Sequence, residues 1–133
     1  MFQVKRAMLA GFTVAEIFEL TWIDPWFLEQ LHELNEAERR WTALLEVTVF
    51  EMRRMKRMGF SDRQLGDLRN VSEGEMRAQR WALDVRPAYK MVDTCAGEFP
   101  SATPYLYGSY DEESEAPPSG RKSIVILGSG PNR

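Results

Sequence analysis

The 133-residue sequence has the length of one domain, and its 44% apolar and 28% charged residues are an ordinary soluble balance. The formal net charge of −3 gives no overall attraction to nucleic acid. No apolar run approaches the roughly 20 residues of a membrane span, and residues 1–11 lack the apolar block of a signal peptide. The single cysteine, Cys95, cannot form a disulfide within the chain, which favours a reducing compartment, the cytoplasm.

Start and stop signals divide the first part of the chain into short helices. Gly11 is placed to end an opening helix, because glycine adopts the left-handed conformation easily. Thr13 begins a capping box that predicts a second helix over residues 14–21. Asp24 followed by Pro25 predicts the start of a third helix. The predicted buried stripe of this third helix consists of Trp26, Phe27, Leu31 and Leu34.

Three further capping boxes begin at Thr48, Ser61 and Ser72, and each heads another short helix. Gly59 is placed to close the first of these helices. A basic run in the helix headed by Thr48 is interpreted as a solvated face. It consists of Arg53, Arg54, Lys56 and Arg57. The sequence therefore predicts an all-α fold, a compact bundle of short helices over residues 1–85.

The chain changes character after Pro87. Prolines and glycines punctuate residues 86–121, and several tyrosines in this stretch need a surface to lie against. We therefore expect an extended connector there. Ser123–Leu127 is a short apolar run typical of one buried strand, and a glycine-rich loop follows it. Residues 122–133 are expected to be the truncated first strand and loop of a following α/β domain, which leaves an orphan C-terminal strand.

No complete catalytic or metal site is predicted within the chain. The loop Gly128–Arg133 departs from the dinucleotide fingerprint, because the third glycine position is occupied by Arg133. His32 is the only histidine and has no carboxylate or cysteine at metal-ligand spacing, so a packing or exposed role is predicted. Cys95 lacks a histidine nearby in sequence and is interpreted as a buried structural thiol.

One binding function competes with a purely structural role. Residues 61–83 contain two capped helices joined by a short turn, the pattern of a helix-turn-helix DNA-binding protein. Arg77 and Arg80 would lie on the reading helix. Against this hypothesis, Glu73 and Glu75 occupy the first turn of that helix, where carboxylates repel the phosphate backbone.

Several separate blocks of sequence resemble one known family, the large subunit of carbamoyl-phosphate synthase. The blocks RPAYKMVDTCAGEF, TPYLYGSY and EAPPSGRKSIVILGSGPNR resemble the junction between its two ATP-grasp halves. Upstream, AGFTVAEIFELTWIDPWFL and MKRMGFSDRQL resemble its central helical oligomerisation domain. The sequence departs from the family pattern at single positions, which are Trp22, Met91, Gly97 and Ser114.

The resemblance implies a parent enzyme, an ATP-dependent ligase that makes carbamoyl phosphate from bicarbonate, glutamine-derived ammonia and two ATP for pyrimidine and arginine synthesis. It implies ATP with Mg or Mn and K as cofactors of the parent. The implied partners are the two ATP-grasp halves, the glutaminase small subunit and other large subunits, with no nucleic acid and no membrane. The residues matching the loop that opens the second ATP-grasp half are Gly128, Gly130, Asn132 and Arg133.

For this chain itself, the resemblance implies a non-catalytic linker and oligomerisation segment without its own cofactor, metal or catalytic residues. It also lowers the helix-turn-helix hypothesis, since the paired helices pack within the domain in the family. The aromatic residues Trp22, Trp26 and Phe27 have two alternative interpretations. They form either part of the domain's own core or an interface between subunits of a homo-oligomer.

Overall fold

The computed structural model describes residues 2–100, 105–117, 120–122, 124 and 128. The chain divides into two compact units, Met1–Pro87 and Ala88–Arg133. All the helices of the described residues lie in the first unit, so the predicted all-α fold class is confirmed. They are α1 (Phe2–Leu9), α2 (Val14–Thr21), α3 (Pro25–Ala43), α4 (Val49–Arg57), α5 (Asp62–Asp67) and α6 (Glu73–Ala82). The second unit contains β1 (Ala88–Met91) and β2 (Leu106–Ser109).

Hydroxyl and carboxylate side chains start the helices where the sequence predicted. The Oγ1 of Thr13 accepts a hydrogen bond from the amide of Glu16 at 3.2 Å, and Glu16 Oε2 accepts one from the Thr13 amide at 2.8 Å. Ser61 and Ser72 make the same reciprocal box. At Thr48 the structure gives only the forward bond of the predicted box, from the Glu51 amide at 3.2 Å, while the Glu51 carboxylate lies 3.9 Å from Arg54. Each bond satisfies an amide that the first helical turn leaves free.

Left-handed residues end two of the helices as predicted. Gly11 has φ +97° after α1, and Gly59 has φ +92° after α4. Glycine adopts these angles without steric cost. Helix α2 ends differently, because its C-cap is Trp22 with φ 56° and ψ 20°. A left-handed conformation costs a residue with a Cβ roughly 1–2 kcal/mol.

Helices α1, α2 and α3 share one apolar core. Val4, Ile17 and Leu28 are its buried members, one from each helix. The partly buried side chains packed against them are Ala7, Met8, Val14, Phe18, Ile23 and Leu31. Burying such side chains provides the main stabilisation of a helical unit of this size.

The remaining helices bury a second set of large side chains. Trp41 near the end of α3 is buried, and its indole Nε1 donates to the carbonyl of Leu65 at 3.1 Å. Arg69 donates to the carbonyls of Trp41 and Leu44, each at 2.9 Å, and so satisfies groups that the end of α3 leaves free. The other fully buried side chains of this part of the chain are Met52, Met55, Leu65, Met76 and Val85.

The predicted buried stripe of α3 was wrong in its first turn and at Leu34, which is also exposed. Trp26 is 62% and Phe27 59% exposed, whereas Leu28 is fully buried. The helix also continues through the polar stretch after Leu34 and buries Asn35, Ala37 and Trp41. The inward face is therefore offset from the apolar residues of the first turn, because the position of neighbouring helices, rather than hydrophobicity alone, selects the buried side.

The second unit contains an antiparallel strand pair within the stretch predicted to be an extended connector. Lys90 of β1 is paired with Tyr107 of β2, and Met91 with Leu106. The pairing had no local signal, because the strands are separated in sequence by residues 92–105, far more than the two to five residues of a common hairpin loop. The predicted strand Ser123–Leu127 lies outside the described residues, apart from Ile124.

The other edge of β1 is occupied by the chain's own acidic segment. The amide of Glu115 donates to the Tyr89 carbonyl at 2.8 Å, and Glu115 Oε2 accepts from the Met91 amide at 2.7 Å. Because peptide groups alternate in direction along an antiparallel strand, those of Leu106 and Gly108 face away from β1. In the described residues, this outward edge of β2 has no strand partner.

Candidate functional site

The turn between α2 and α3 carries an exposed aromatic surface. We define the α2–α3 aromatic surface as Trp22, Trp26 and Phe27, which are 78%, 62% and 59% exposed. None of the three belongs to the core, although Trp22 touches Phe18 with 5.5 Å between ring centroids. Exposed apolar side chains that cluster in this way mark interaction surfaces more often than scattered ones do.

Local hydrogen bonds hold this turn in place. Asp24 Oδ1 accepts from the Trp26 amide at 2.8 Å, which fixes the first turn of α3. Thr21 Oγ1 donates to the Ile17 carbonyl at 2.7 Å and accepts from the Ile23 amide at 3.3 Å. The turn is therefore a fixed part of the helical unit, and the aromatic side chains project from a defined backbone.

An apolar cleft of about 490 Å³ opens beside the aromatic surface. Trp26 and Phe27 form one wall of the cleft, and their rings meet edge to face with centroids 4.9 Å apart. This is a favourable aromatic geometry. The described residues that line it are Val4, Ile23, Trp26, Phe27, Gln30 and Leu31, and none of these side chains is charged.

A buried ion cluster joins α4, α5 and α6. Asp62 is 8% exposed, and its carboxylate accepts from Lys56 Nζ at 2.9 Å and from Arg80 Nη2 at 2.9 Å. Lys56 Nζ also donates to the Phe60 carbonyl at 2.7 Å, and Arg80 Nη1 donates to the Val85 carbonyl at 2.8 Å. The prediction of Lys56 as part of a solvated basic face was wrong, since a facing carboxylate allows its burial.

Electrostatics keep Asp62 ionised. Burial raises the pKa of its carboxyl, but hydrogen bonds from Arg80 and Lys56 and the charges of both cations outweigh burial and lower the pKa below its usual value. The cluster therefore holds one anion between two cations at neutral pH. Nothing in its geometry presents a reactive group to solvent, because Lys56 and Arg80 are 9% and 6% exposed.

The same cluster disfavours the helix-turn-helix hypothesis. Arg80, one of the two predicted DNA-reading residues, is buried against Asp62. Arg77, the other, pairs with Glu73 one turn earlier on α6 and lies 3.8 Å from Asp62. Glu75 accepts from the Ser72 amide at 2.8 Å as the predicted capping partner. Helix α6 thus uses its basic side chains internally, and base readout requires them in a groove.

His32 belongs to the first unit and Cys95 to the second. His32 is exposed and lines a cleft of about 510 Å³ between the end of α1 and α3. Cys95 is partly exposed rather than buried as predicted, and its amide donates to Asp93 Oδ1 at 2.8 Å. Ala96, the residue after it, has φ 51°. His32 shares its cleft with Glu36 and Arg39, whose side chains pair with each other at 3.0 Å. Cys95 Sγ lies 3.9 Å from Thr94 Oγ1.

Few of the remaining predicted residues can be placed. Among Gly128, Gly130, Asn132 and Arg133, Gly128 is described and the other three lie outside the described residues. The described part of the chain contains no group of three or more His, Cys, Asp or Glu side chains that could hold a metal ion. Within the same residues, no helix is long and apolar enough to cross a membrane.

Comparison with known proteins adds an independent observation. Residues 1–84 match the family model described as "Carbamoyl-phosphate synthetase large chain, oligomerisation domain". The chain is 67% identical over 99% of its length to a "Carbamoyl phosphate synthase large chain" of Gemmatimonas aurantiaca. It is 53% identical over 100% of its length to one of Pseudarthrobacter chlorophenolicus, and 51% identical over 98% to one of Neisseria meningitidis serogroup B.

The matched segment coincides with the helical unit. The family match ends at residue 84, two residues after the end of α6 and before the unit boundary at Pro87. The chain spans 12% of the length of each of these three relatives. More than half of the chain thus matches one family model, and the chain belongs to the carbamoyl-phosphate synthetase large chain family, of which residues 1–84 are the oligomerisation domain.

Proposed function

We propose that this chain is a non-catalytic structural segment of a carbamoyl phosphate synthase large chain, and that its helical unit joins copies of the protein. The observation that carries this proposal is the α2–α3 aromatic surface, which lies within the matched oligomerisation domain and leaves large apolar side chains in water. Removing such side chains from water supplies about 25 cal/mol per Å² of apolar area. Association of copies is therefore the use that the exposed surface supports best.

The same proposal assigns roles along the chain. Residues 1–85 form the oligomerisation domain, residues 86–121 the connector and residues 122–133 the beginning of a following α/β domain. The compact unit that ends at Pro87 supports the first of these boundaries. The dense helical packing of the first unit suits a spacer that holds two larger domains apart, because a well-packed interior resists deformation.

The wider activity follows from the family. The longer protein would make carbamoyl phosphate from bicarbonate, ammonia released by a glutaminase partner and ATP, in the cytoplasm. The ATP, the divalent cation and the potassium ion of the longer protein would be held by its ATP-grasp domains, outside this 133-residue segment. The buried ion cluster around Asp62 supports a structural role for the helical unit, since its charges are mutually satisfied and turned away from solvent.

Sedimentation velocity of the 133-residue chain over a wide concentration range tests self-association. We expect a concentration-dependent shift from monomer to a larger species. The shift should persist in high salt, because burial of apolar side chains is not screened by ions. A strictly monomeric chain at every concentration would contradict the proposal. Calorimetric titration with Mg-ATP is the complementary test, in which binding by the chain alone would contradict a non-catalytic role.

A further inference from the structure

Trp22 has an unfavourable backbone conformation with little compensation inside its own molecule. Its φ of 56° is left-handed, where bulky residues are uncommon, and its side chain is 78% exposed. Among the residues that the structure describes, Phe18 alone makes a ring contact with it, with 5.5 Å between ring centroids. Strained residues persist at sites where strain serves recognition or function. A large exposed indole fixed in a strained turn therefore indicates a contact with something beyond the described residues.

The adjacent cleft has properties complementary to an indole. It encloses about 490 Å³ and is lined by aliphatic and aromatic side chains with one amide, Gln30. Ile23, which follows Trp22 directly in sequence, belongs to the lining, whereas Trp22 itself does not. The exposed indole and the apolar cleft are therefore adjacent along the chain, joined at Ile23.

We propose that two copies of this chain associate about a two-fold axis, with Trp22 of each copy inserted into the α2–α3 cleft of the other. This inference rests on the proposed self-association and specifies its surface and partner. A two-fold interface must be self-complementary, since the same patch occurs on both sides. A surface that carries both the projecting group and its receiving cleft meets that condition. It also buries the indole that the monomer leaves in water.

The available area and charge fit a second copy. Aromatic side chains bury about 150–250 Å² each, so the exposed fractions of Trp22, Trp26 and Phe27 correspond to on the order of 450 Å². A standard interface buries about 800 Å² per partner, of which an apolar centre of this extent is a large share. Because the lining residues that the structure describes are uncharged, two identical copies meet there without like-charge repulsion between them.

The substitution Trp22→Asn separates association from folding. Asparagine tolerates the left-handed conformation, so the variant should unfold at a higher temperature than the wild type. Loss of the inserted indole should weaken association at least about tenfold in sedimentation velocity, because interface tryptophans are frequent hot spots. Trp81→Asn is the matched control, since Trp81 is a half-exposed indole on α6. It should leave association unchanged. Equal association of Trp22→Asn and wild type would overturn the inference while leaving self-association intact.

A mixing experiment tests the reciprocal arrangement. Phe27→Gln should weaken the cleft without changing Trp22. A dimer of Trp22→Asn then lacks both indoles, and a dimer of Phe27→Gln has two weakened clefts. A mixture of Trp22→Asn and Phe27→Gln can form one contact, between an intact indole and an intact cleft, and should associate more tightly than either variant alone. A mixture no tighter than the separate variants would overturn the reciprocal geometry. A monomeric wild-type chain would overturn this inference together with the proposed function, and would assign the surface to another part of the longer protein.

Discussion

The guanidinium group of Arg80 makes a bidentate pair with the Asp62 carboxylate, in which Nε donates to Oδ1 at 3.0 Å and Nη2 donates to Oδ2 at 2.9 Å. The remaining nitrogen, Nη1, donates to the carbonyl of Val85. One arginine of α6 therefore connects the start of α5 with the segment that leaves the last helix. Bidentate pairs of this kind have defined geometry as well as charge complementarity, which suits a position that orients backbone.

Removing the carboxylate charge should strongly destabilise the helical unit. In Asp62→Asn, the buried cations Lys56 and Arg80 lose their counter-ion, and breaking a buried ion pair from one side costs about 3–5 kcal/mol. That is a large part of the roughly 5–15 kcal/mol typical of a folded domain. Urea unfolding followed by circular dichroism measures the loss. Asp67→Asn is the control, because Asp67 is exposed and lies 3.9 Å from Arg63. A loss no larger than that of the control would contradict the structural role of the cluster.

The stability of the helical unit should fall in acid through the same residue. The pKa of Asp62 is lower in the folded chain than its usual value, so its contribution is fully present above about pH 4. The contribution is lost as the pH falls through the lowered pKa, because protonation then favours the unfolded state. Urea midpoints measured between neutral pH and strong acid test this expectation. The difference between wild type and Asp62→Asn should shrink as the pH decreases, and a constant difference would contradict the assignment.

Two glycines should respond to alanine with opposite signs. A Cβ on Gly66 in α5 would lie 2.6 Å from the Val71 carbonyl oxygen, which is backbone and cannot rotate away. Gly66→Ala should therefore destabilise the chain by about 1–3 kcal/mol. A Cβ on Gly74 in α6 meets only Ser72 Oγ, at 4.0 Å. Gly74→Ala should stabilise the chain by about 0.5 kcal/mol through helix propensity. Thermal unfolding of both variants provides the measurement, and effects of the same sign would contradict the close α5 packing.

Glu115 should protect one amide of β1 from hydrogen exchange. Its carboxylate accepts from the Met91 amide, and this bond lowers the pKa of Glu115, with burial opposing and Lys90 contributing less. Glu115→Ala should accelerate hydrogen exchange at the Met91 amide. Exchange at the Lys90 amide should stay nearly unchanged, because Lys90 is paired with Tyr107 of β2. Nuclear magnetic resonance of the exchanging amides distinguishes the two positions. Equal acceleration at both would show general loosening of the sheet instead of loss of one cap.

Local chemistry explains why helix boundaries were predictable. A capping bond joins residues within one turn, so Thr13, Asp24, Ser61 and Ser72 identify helix starts without knowledge of the fold. A terminating glycine is equally local, as at Gly59. These signals, together with the resemblance in several sequence blocks, predicted the fold class and the family.

Burial depended on contacts that sequence spacing does not reveal. In the sequence Lys56 is one member of a basic run, and its burial depends on the Asp62 carboxylate from another helix and on the Phe60 carbonyl. Trp26 and Phe27 read as core residues, yet no neighbouring helix in the described residues covers their side of α3. The strain at Trp22 is invisible in sequence, since a tryptophan at a helix end gives no warning of a left-handed backbone.

The small sheet of the second unit has one edge closed by Glu115 and Ser114 and one edge, along β2, that faces outward. As far as the described residues go, an added strand can therefore pair with this sheet along β2 only. Fibrous aggregation requires each added strand to offer a fresh edge on both flanks of the growing ladder. The acidic segment covers the β1 edge, so two copies that pair through their β2 edges leave no uncovered edge for a third copy. The arrangement of the connector therefore opposes continued strand addition.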